Sequence, residues 1–317
     1  MQKIIQHVLY PLDCIRSGNR DILRYQREFA ASQYLTQPEL EERSFSRMKM
    51  MLEYAYEHID FYRRRFDEFG VRPTQIHSPN DLAVLPILEK RDIQDCLPSL
   101  ISNQYSPANL ILDRTGGSTG TPIEYYYTPQ RHRSRKAATW RHNSFADWNI
   151  GDKAAVLWGA ANDLPKPGLK QRLRNQLIDR TLFFNTAGFQ ADDFLRFNNQ
   201  LKRFRPKTIL AYANSLGLFA QYLKDQGVAP YSPQVIVTSA EMLTTENRQL
   251  IEEVFSAPVF NRYGSREFSV IASECCEHNG LHVMQEGLYI EILKQGKPTE
   301  PGELGELIIT DLLNHGM

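Results

Sequence analysis

The sequence predicts an α/β fold: a covered, mainly parallel sheet with helices, plus a small antiparallel β unit near the C-terminus. Three observations carry that expectation. The first part of the chain has helical periodicity. From Ile150 onward, short apolar runs alternate with amphipathic stretches, the pattern of strands covered by helices. After Leu281 the texture becomes alternating around a K-Q-G-K-P turn, which predicts antiparallel pairing. The expected division is a helical part over residues 1–95, an α/β core over 96–280 and a β subdomain over 281–317.

Bulk composition excludes several classes. Lysine plus arginine equal aspartate plus glutamate at 37 each in 317 residues, so net charge points to no nucleic-acid or membrane partner. Cys14, Cys96, Cys275 and Cys276 are too few for a secreted disulfide framework at this length. The opening M-Q-K-I-I-Q-H-V-L-Y-P lacks the apolar core and cleavage site of a signal peptide. No run approaches the ~18 apolar residues of a membrane span, so no integral membrane segment is expected. A reduced, cytoplasmic, soluble protein is the expectation. The first 30 residues are amphipathic enough to touch a membrane or a partner, and packing onto the domain is the expected outcome.

Taken in order, Thr36-Gln-Pro-Glu39 reads as a capping box with proline in the first helical turn. Phe45, Met48, Leu52, Ala55 and Ile59 then recur at helical spacing and predict one buried face. Arg63, Arg64 and Arg65 read as a solvated helix face. Pro73, Pro79 and Pro86 punctuate the connection that follows.

The run D-R-T-G-G-S-T-G-T-P-I-E-Y-Y-Y-T, Asp113 to Thr128, stands apart. Thr115, Gly116, Gly117, Ser118, Thr119, Gly120 and Thr121 combine permissive backbone with hydroxyl donors, the composition of a phosphate cradle. It is neither a Walker loop, since no G-K-[ST] follows, nor a dinucleotide fingerprint. A polar hairpin turn has the same composition.

Predicted strands follow at Ala154–Trp158, Thr181–Phe184, Thr208–Tyr212, Val235–Val237 and Pro258–Phe260. Thr244 or Thr245 caps a helix that buries Leu250, Ile251, Val254 and Phe255. In such sheets ligands bind beyond the carboxyl ends of the strands. The residues there are Trp158-Gly159, Asn185-Thr186, Tyr212 to Ser215, Ser239-Ala240-Glu241 and Tyr263 to Glu267. They offer aromatics for a pocket, small residues for backbone approach, and two carboxylates. Cys275, Cys276, His278 and His282 are dense enough for a zinc site, although the spacing is not that of a standard finger. Structural cysteines beside surface histidines are the competing reading.

The Gly/Ser/Thr loop and the later N-R-Y-G-S-R-E run resemble the adenylate-forming superfamily, and within it the phenylacetate–CoA ligase family, especially its branch associated with capsule and O-antigen biosynthesis. Y-A-Y-E-H-I-D-F-Y-R, L-P-I-L-E-K-R-D-I, V-T-S-A-E, S-E-C-C-E-H-N-G-L-H-V and P-G-E-L-G-E-L-I-I-T-D-L complete the set in the family's order. The resemblance implies ATP-dependent activation of a small-molecule carboxylate as acyl-adenylate, then transfer to CoA or an amine acceptor. It implies that Thr115 to Thr121 hold the phosphates, with Thr115 and Ser118 taking part in catalysis. Ser239, Ala240 and Glu241 fall where the adenine ring packs. Asn261, Arg262, Tyr263, Gly264 and Ser265 would border the nucleotide, with Tyr263 against adenine or the carboxylate. Glu267 would hold Mg²⁺. Trp158, Tyr212 and Ser215 are expected acyl-pocket residues, chosen by strand-end position.

Two departures accompany the resemblance. Ile123 stands where the family often has lysine. A ribose-binding aspartate, a hinge arginine and a mobile domain with a catalytic lysine would follow Met317. The chain therefore corresponds to the large N-terminal domain, with low activity expected. In that branch, partners beyond Met317 would join Cys275 and His282 around Zn²⁺. A degenerate nucleotide- or acyl-binding scaffold of polysaccharide assembly is the competing function. A sugar-nucleotide transferase lacks its D-x-D metal motif here.

Overall fold

The computed structural model describes residues 1–116, 121–159, 168–186 and 190–317. The chain forms two compact units, both discontinuous in sequence. Unit 1 comprises Met1–Leu23, Thr139–Ser265 and Val270–His282; unit 2 comprises Arg24–Ala138, Arg266–Ser269 and Val283–Met317.

Unit 1 is built on a seven-stranded sheet. In chain order its strands are β3 (Ala154–Trp158), β4 (Thr181–Asn185), β5 (Thr208–Tyr212), β6 (Val235–Ser239), β7 (Val259–Ser265), β8 (Ser269–Ser273) and β9 (His282–Val283). The two preceding strands, β1 (Ile111–Arg114) and β2 (Glu124–Tyr127), form a hairpin in unit 2. The spatial order is β4-β3-β5-β6-β7-β8-β9, and the first five of these run parallel. Both faces are covered, which is why the strands are short apolar runs with no alternation. On one face Leu157, Ile209, Ile236 and Val259 pack against Phe197, Phe219, Leu223 and Phe255 from the helices Ala191–Phe204, Ala213–Asp225 and Thr245–Phe255. On the other, Ala154, Val235, Val237 and Phe260 pack with Ala146, Trp148 and Trp140. Each buried valine, leucine, isoleucine or phenylalanine among them contributes about 1.5–3 kcal/mol by leaving water. Thr244 is the cap of the third helix, accepting a hydrogen bond from the Asn247 N–H.

The N-terminal helical segments Gln2–Ile4, Ile5–Leu9 and Tyr10–Arg16 also belong to unit 1. Ile5, Tyr10 and Cys14 are the buried side. Gly151 makes room for it. Its φ of +86° suits glycine, and a Cβ there would lie 2.8 Å from the Ile5 Cβ.

Unit 2 begins with the helical part. Thr36 and Glu39 form the expected capping box ahead of the helix Gln37–His58. Met48, Leu52, Ala55 and Ile59 are buried, packed with Phe66, Ile76 and Leu82 or with Phe61 and Leu100. The hairpin of β1 (Ile111–Arg114) and β2 (Glu124–Tyr127) and a three-stranded antiparallel sheet complete the unit. That sheet contains β10 (Leu288–Lys294), β11 (Lys297–Pro298) and β12 (Glu306–Asp311) in the order β11-β10-β12.

Candidate functional site

In unit 2 the β1–β2 hairpin carries the Gly/Ser/Thr loop. Antiparallel register pairs Asp113 with Tyr125 and Arg114 with Glu124, so the two strands enter the loop side by side. Thr115 closes its base. The Thr115 N–H donates to the Ile123 carbonyl at 3.0 Å, and the Thr115 hydroxyl oxygen accepts from the Ile123 N–H at 2.9 Å. That arrangement leaves the hydroxyl proton to donate outward. The Thr121 carbonyl accepts from the Gln94 side chain at 3.3 Å. Gly116 is exposed. The other expected loop residues, Gly117, Ser118, Thr119 and Gly120, lie outside the described residues.

The turn that carries Glu267 is held from two sides within the same unit. The buried Tyr125 hydroxyl donates to the Arg266 carbonyl at 2.7 Å and lies 3.3 Å from the Asp113 carboxylate. Burial, and then the Asp113 charge, push the Tyr125 phenol up, so it remains a donor. The Arg135 guanidinium donates to the Glu267 carbonyl oxygen. It lies 4.3 Å above the Tyr127 ring and 3.9 Å from the Asp311 carboxylate. Asp311 in turn accepts from the buried Arg131 Nε at 2.7 Å. Ser269, which ends the turn, has φ +66°, a conformation that a non-glycine residue adopts only when its surroundings impose it. The Glu267 carboxylate is half-buried and enters no ion pair among the described residues.

In unit 1 the parallel register aligns the carboxyl ends of adjacent strands. Trp158 pairs with Asn185, and Tyr212 with Ser239. The Trp158 and Tyr212 rings lie 4.2 Å apart at 47°. Ser215 is half-buried in the first turn of the helix Ala213–Asp225. Ser239 is buried, and the chain then turns through Ala240 at φ +67°. The Glu241 carboxylate accepts the Asn214 N–H at 2.7 Å, so it caps that helix and complements its dipole.

Along β7 the side chains divide. Tyr263 is 47% exposed, whereas Arg262 is 7% exposed and donates to the Asn143 side chain. Burial lowers Arg262 to about 10. Arg262 is therefore an interior group. The Asn261 N–H is bound to Glu274 at 2.8 Å, and Gly264 and Ser265 are half-buried at the strand end. A separate open cleft of about 380 Å³, lined by Asn214, Gly217, Leu218, Gln221, Asn247 and Leu250, contains none of the strand-end aromatics.

The zinc expectation is not supported. Among the described residues no group of three or more histidine, cysteine, aspartate or glutamate side chains could hold a metal. His282 packs its ring 5.3 Å from Phe145. His278 lies 3.2 Å from Glu274 and 4.7 Å from the Phe260 ring. These histidines are used in packing and pairing, and Glu274 is further bound to Arg248 at 2.6 Å.

The clamp of Tyr125, Arg135, Arg131 and Asp311 was absent from the sequence reading. One signal was available: Asp113 and Tyr125 flank the Gly/Ser/Thr loop symmetrically.

No protein-family profile matches the chain. A phenylacetate–coenzyme A ligase of Pseudomonas putida is 26% identical over 280 residues, covering 86% of this chain and 62% of that protein. The phenylacetate–coenzyme A ligase of Escherichia coli K12 is also 26% identical, covering 88% of this chain and 64% of its own length. A 2-hydroxyisobutyryl-CoA ligase, solved in complex with 2-HIB-AMP, shares the fold with a TM-score of 0.73 at 18% identity, over 89% of this chain and 61% of that one. The chain thus spans about three fifths of the length of the curated relatives it matches.

Proposed function

Because this chain is a relative of the phenylacetate–coenzyme A ligases with the fold of the adenylate-forming enzymes, we propose that it binds ATP and a carboxylic acid and takes part in forming an acyl-adenylate. A carboxylate oxygen attacks the α-phosphorus, and the bond to pyrophosphate breaks. An acceptor then attacks the acyl carbon, and AMP leaves. Coenzyme A is the acceptor favoured by the names of the curated relatives. An amine acceptor in polysaccharide assembly is the alternative. ATP and coenzyme A place such an activity in the cytoplasm.

The observation that carries this reading is the alignment with these ligases over 86% and 88% of the chain. The local geometry is compatible with it. In unit 2, Thr115 has a hydroxyl proton to offer a phosphate oxygen, and by composition alone the run that follows it, Gly116 to Thr121, would add hydroxyl donors. Glu267 has a carboxylate unclaimed by any described cation, on a turn fixed at its backbone, which suits a hard cation with oxygen ligands. Mg²⁺ bound there would offset phosphate charge. In unit 1, Ser239 and Ala240 offer close backbone approach and Tyr263 an exposed ring for adenine. Trp158, Tyr212 and Ser215 are the groups assigned to the acyl part.

Two measurements test the reading. Calorimetric titration should show ATP binding that strengthens with Mg²⁺, and Glu267→Gln should remove at least about tenfold of that Mg²⁺-dependent affinity. Pyrophosphate release should appear only when an acid from a panel is supplied. The product formed with coenzyme A or an amine identifies the acceptor. Failure of the protein to bind ATP with Mg²⁺ would refute the proposal; equal binding by Glu267→Gln would remove the metal role of Glu267.

A further inference from the structure

The outward side of the N-terminal helical segments is aliphatic. Ile4, Val8, Leu12 and Ile15 recur at spacings of three and four and are exposed, Ile4 at 56% and Leu12 at 51%. The opposite side, with Ile5, Tyr10 and Cys14, is the one that packs inward. A second row occupies the helical segments Leu169–Arg174 and Asn175–Asp179. Leu169, Leu173 and Leu177 are exposed at 76%, 49% and 59%. Both rows belong to unit 1. The segments Ile5–Leu9 and Asn175–Asp179 are in contact, and Arg174 bonds Asp13 across them. Seven large aliphatic side chains on two neighbouring helical segments are more than the scattered exposure of ordinary surfaces.

Charge identifies the occupant. In a chain of zero net charge, residues 1–20 and 168–180 hold seven lysines and arginines against two acids. Those two, Asp13 and Asp179, are both paired with Arg174. Lys3, Arg16, Lys170 and Arg172 stand exposed beside the aliphatic rows. A symmetric contact with a second copy would set these cations against each other. An anionic bilayer satisfies both features: aliphatic side chains enter the headgroup boundary, and the cations meet lipid phosphates.

We propose that this face docks unit 1 on the surface of an anionic membrane. Binding is peripheral, since no described helix is long and apolar enough to cross a bilayer. The proposal is independent of the ligase reading.

The test is co-sedimentation of the purified protein with vesicles of phosphatidylcholine alone or of phosphatidylcholine and phosphatidylglycerol in equal parts. Binding is expected to the second and to weaken with salt. Removing each cation costs about fivefold, so Lys170→Glu with Arg172→Glu, which also adds repulsion, should weaken binding by at least about 25-fold. Combined Ile4→Gln, Val8→Gln and Leu12→Gln should weaken it more than about tenfold. Leu169→Gln with Leu173→Gln tests the second row separately. All these positions are exposed, so the circular dichroism melt should stay that of the parent. Absence of binding to the anionic vesicles, or unchanged binding by both glutamine sets, would overturn the proposal. So would a dimer that the glutamine sets dissociate without any vesicle binding.

Discussion

Replacing Arg135 by methionine separates the positioning of Glu267 from its chemistry. Methionine keeps much of the apolar stem and removes the guanidinium. Three of its contacts go with it, one of them the 3.9 Å approach to the Asp311 carboxylate. The charged hydrogen bond to the Glu267 carbonyl is worth about 1.5–3 kcal/mol, and the buried contact 4.3 Å above Tyr127 about 1–2 kcal/mol. Allowing for overlap between them, Arg135→Met should destabilise the protein by about 2–4 kcal/mol. The Tyr125 hydroxyl still holds the Arg266 carbonyl, one residue before Glu267. Mg²⁺-dependent ATP affinity should fall by about tenfold, equivalent to ~1.4 kcal/mol, while binding in chelator stays at the parental value. Arg135→Lys keeps the charge without the planar fork and should fall between the two. Urea unfolding gives the stability, and paired titrations with Mg²⁺ and with chelator give the affinities. A stability loss with unchanged Mg²⁺ dependence would show that this clamp supports the fold without placing Glu267.

Three further outcomes are expected. Asp311→Ala leaves the buried Arg131 guanidinium without its carboxylate and should cost about 3–5 kcal/mol by urea unfolding; Arg131→Met in the same chain should restore part of it. Gly151→Ala must hold φ near +86° and press on Ile5, so it should lower stability by about 1–3 kcal/mol and loosen the N-terminal helix, read by hydrogen exchange at Ile5 to Leu9. Acid should destabilise the fold through two histidines. Burial, aided by neighbouring cations, lowers His132 to about 4 and holds the buried His142 well below the ordinary 6.5. The unfolded chain takes up protons near 6.5 that these folded rings refuse, so their contribution is complete above 6.5 and is lost as pH falls toward about 4 at His132. His142→Gln with His132→Gln should flatten the urea midpoint against pH across that window.

The strands were legible because a sheet covered on both faces needs apolar residues at every position, and Ala154–Trp158 and Thr208–Tyr212 meet that demand locally. The caps at Thr36 and Thr244 were legible for the same reason: donor and acceptor lie within three residues. The clamp was not. Arg135 reaches Glu267 across 132 positions, and Arg131 reaches Asp311 across 180. Nothing local distinguishes those arginines from the exposed cations around them. Glu241 shows the opposite failure. Its place after β6 marks it as a strand-end carboxylate, and only the three-dimensional position of Asn214 reveals that it caps a helix.

The N-R-Y-G-S-R-E run shows how strand geometry sorts neighbouring side chains between interior and surface. A strand sends alternate side chains to opposite faces. Burial on the inner side selects Arg262 for its bond to Asn143, at the cost of desolvating a charge. The same alternation sends Tyr263 outward. The strand then ends, and the turn gives the next two carbonyls, of Arg266 and Glu267, to the clamp. Backbone groups satisfy the fold there, and the Glu267 carboxylate enters no ion pair among the described residues. A residue whose main chain is fixed and whose carboxylate is unclaimed is better suited to a ligand than one whose carboxylate, like that of Glu241 or Glu274, already completes a helix or an ion pair.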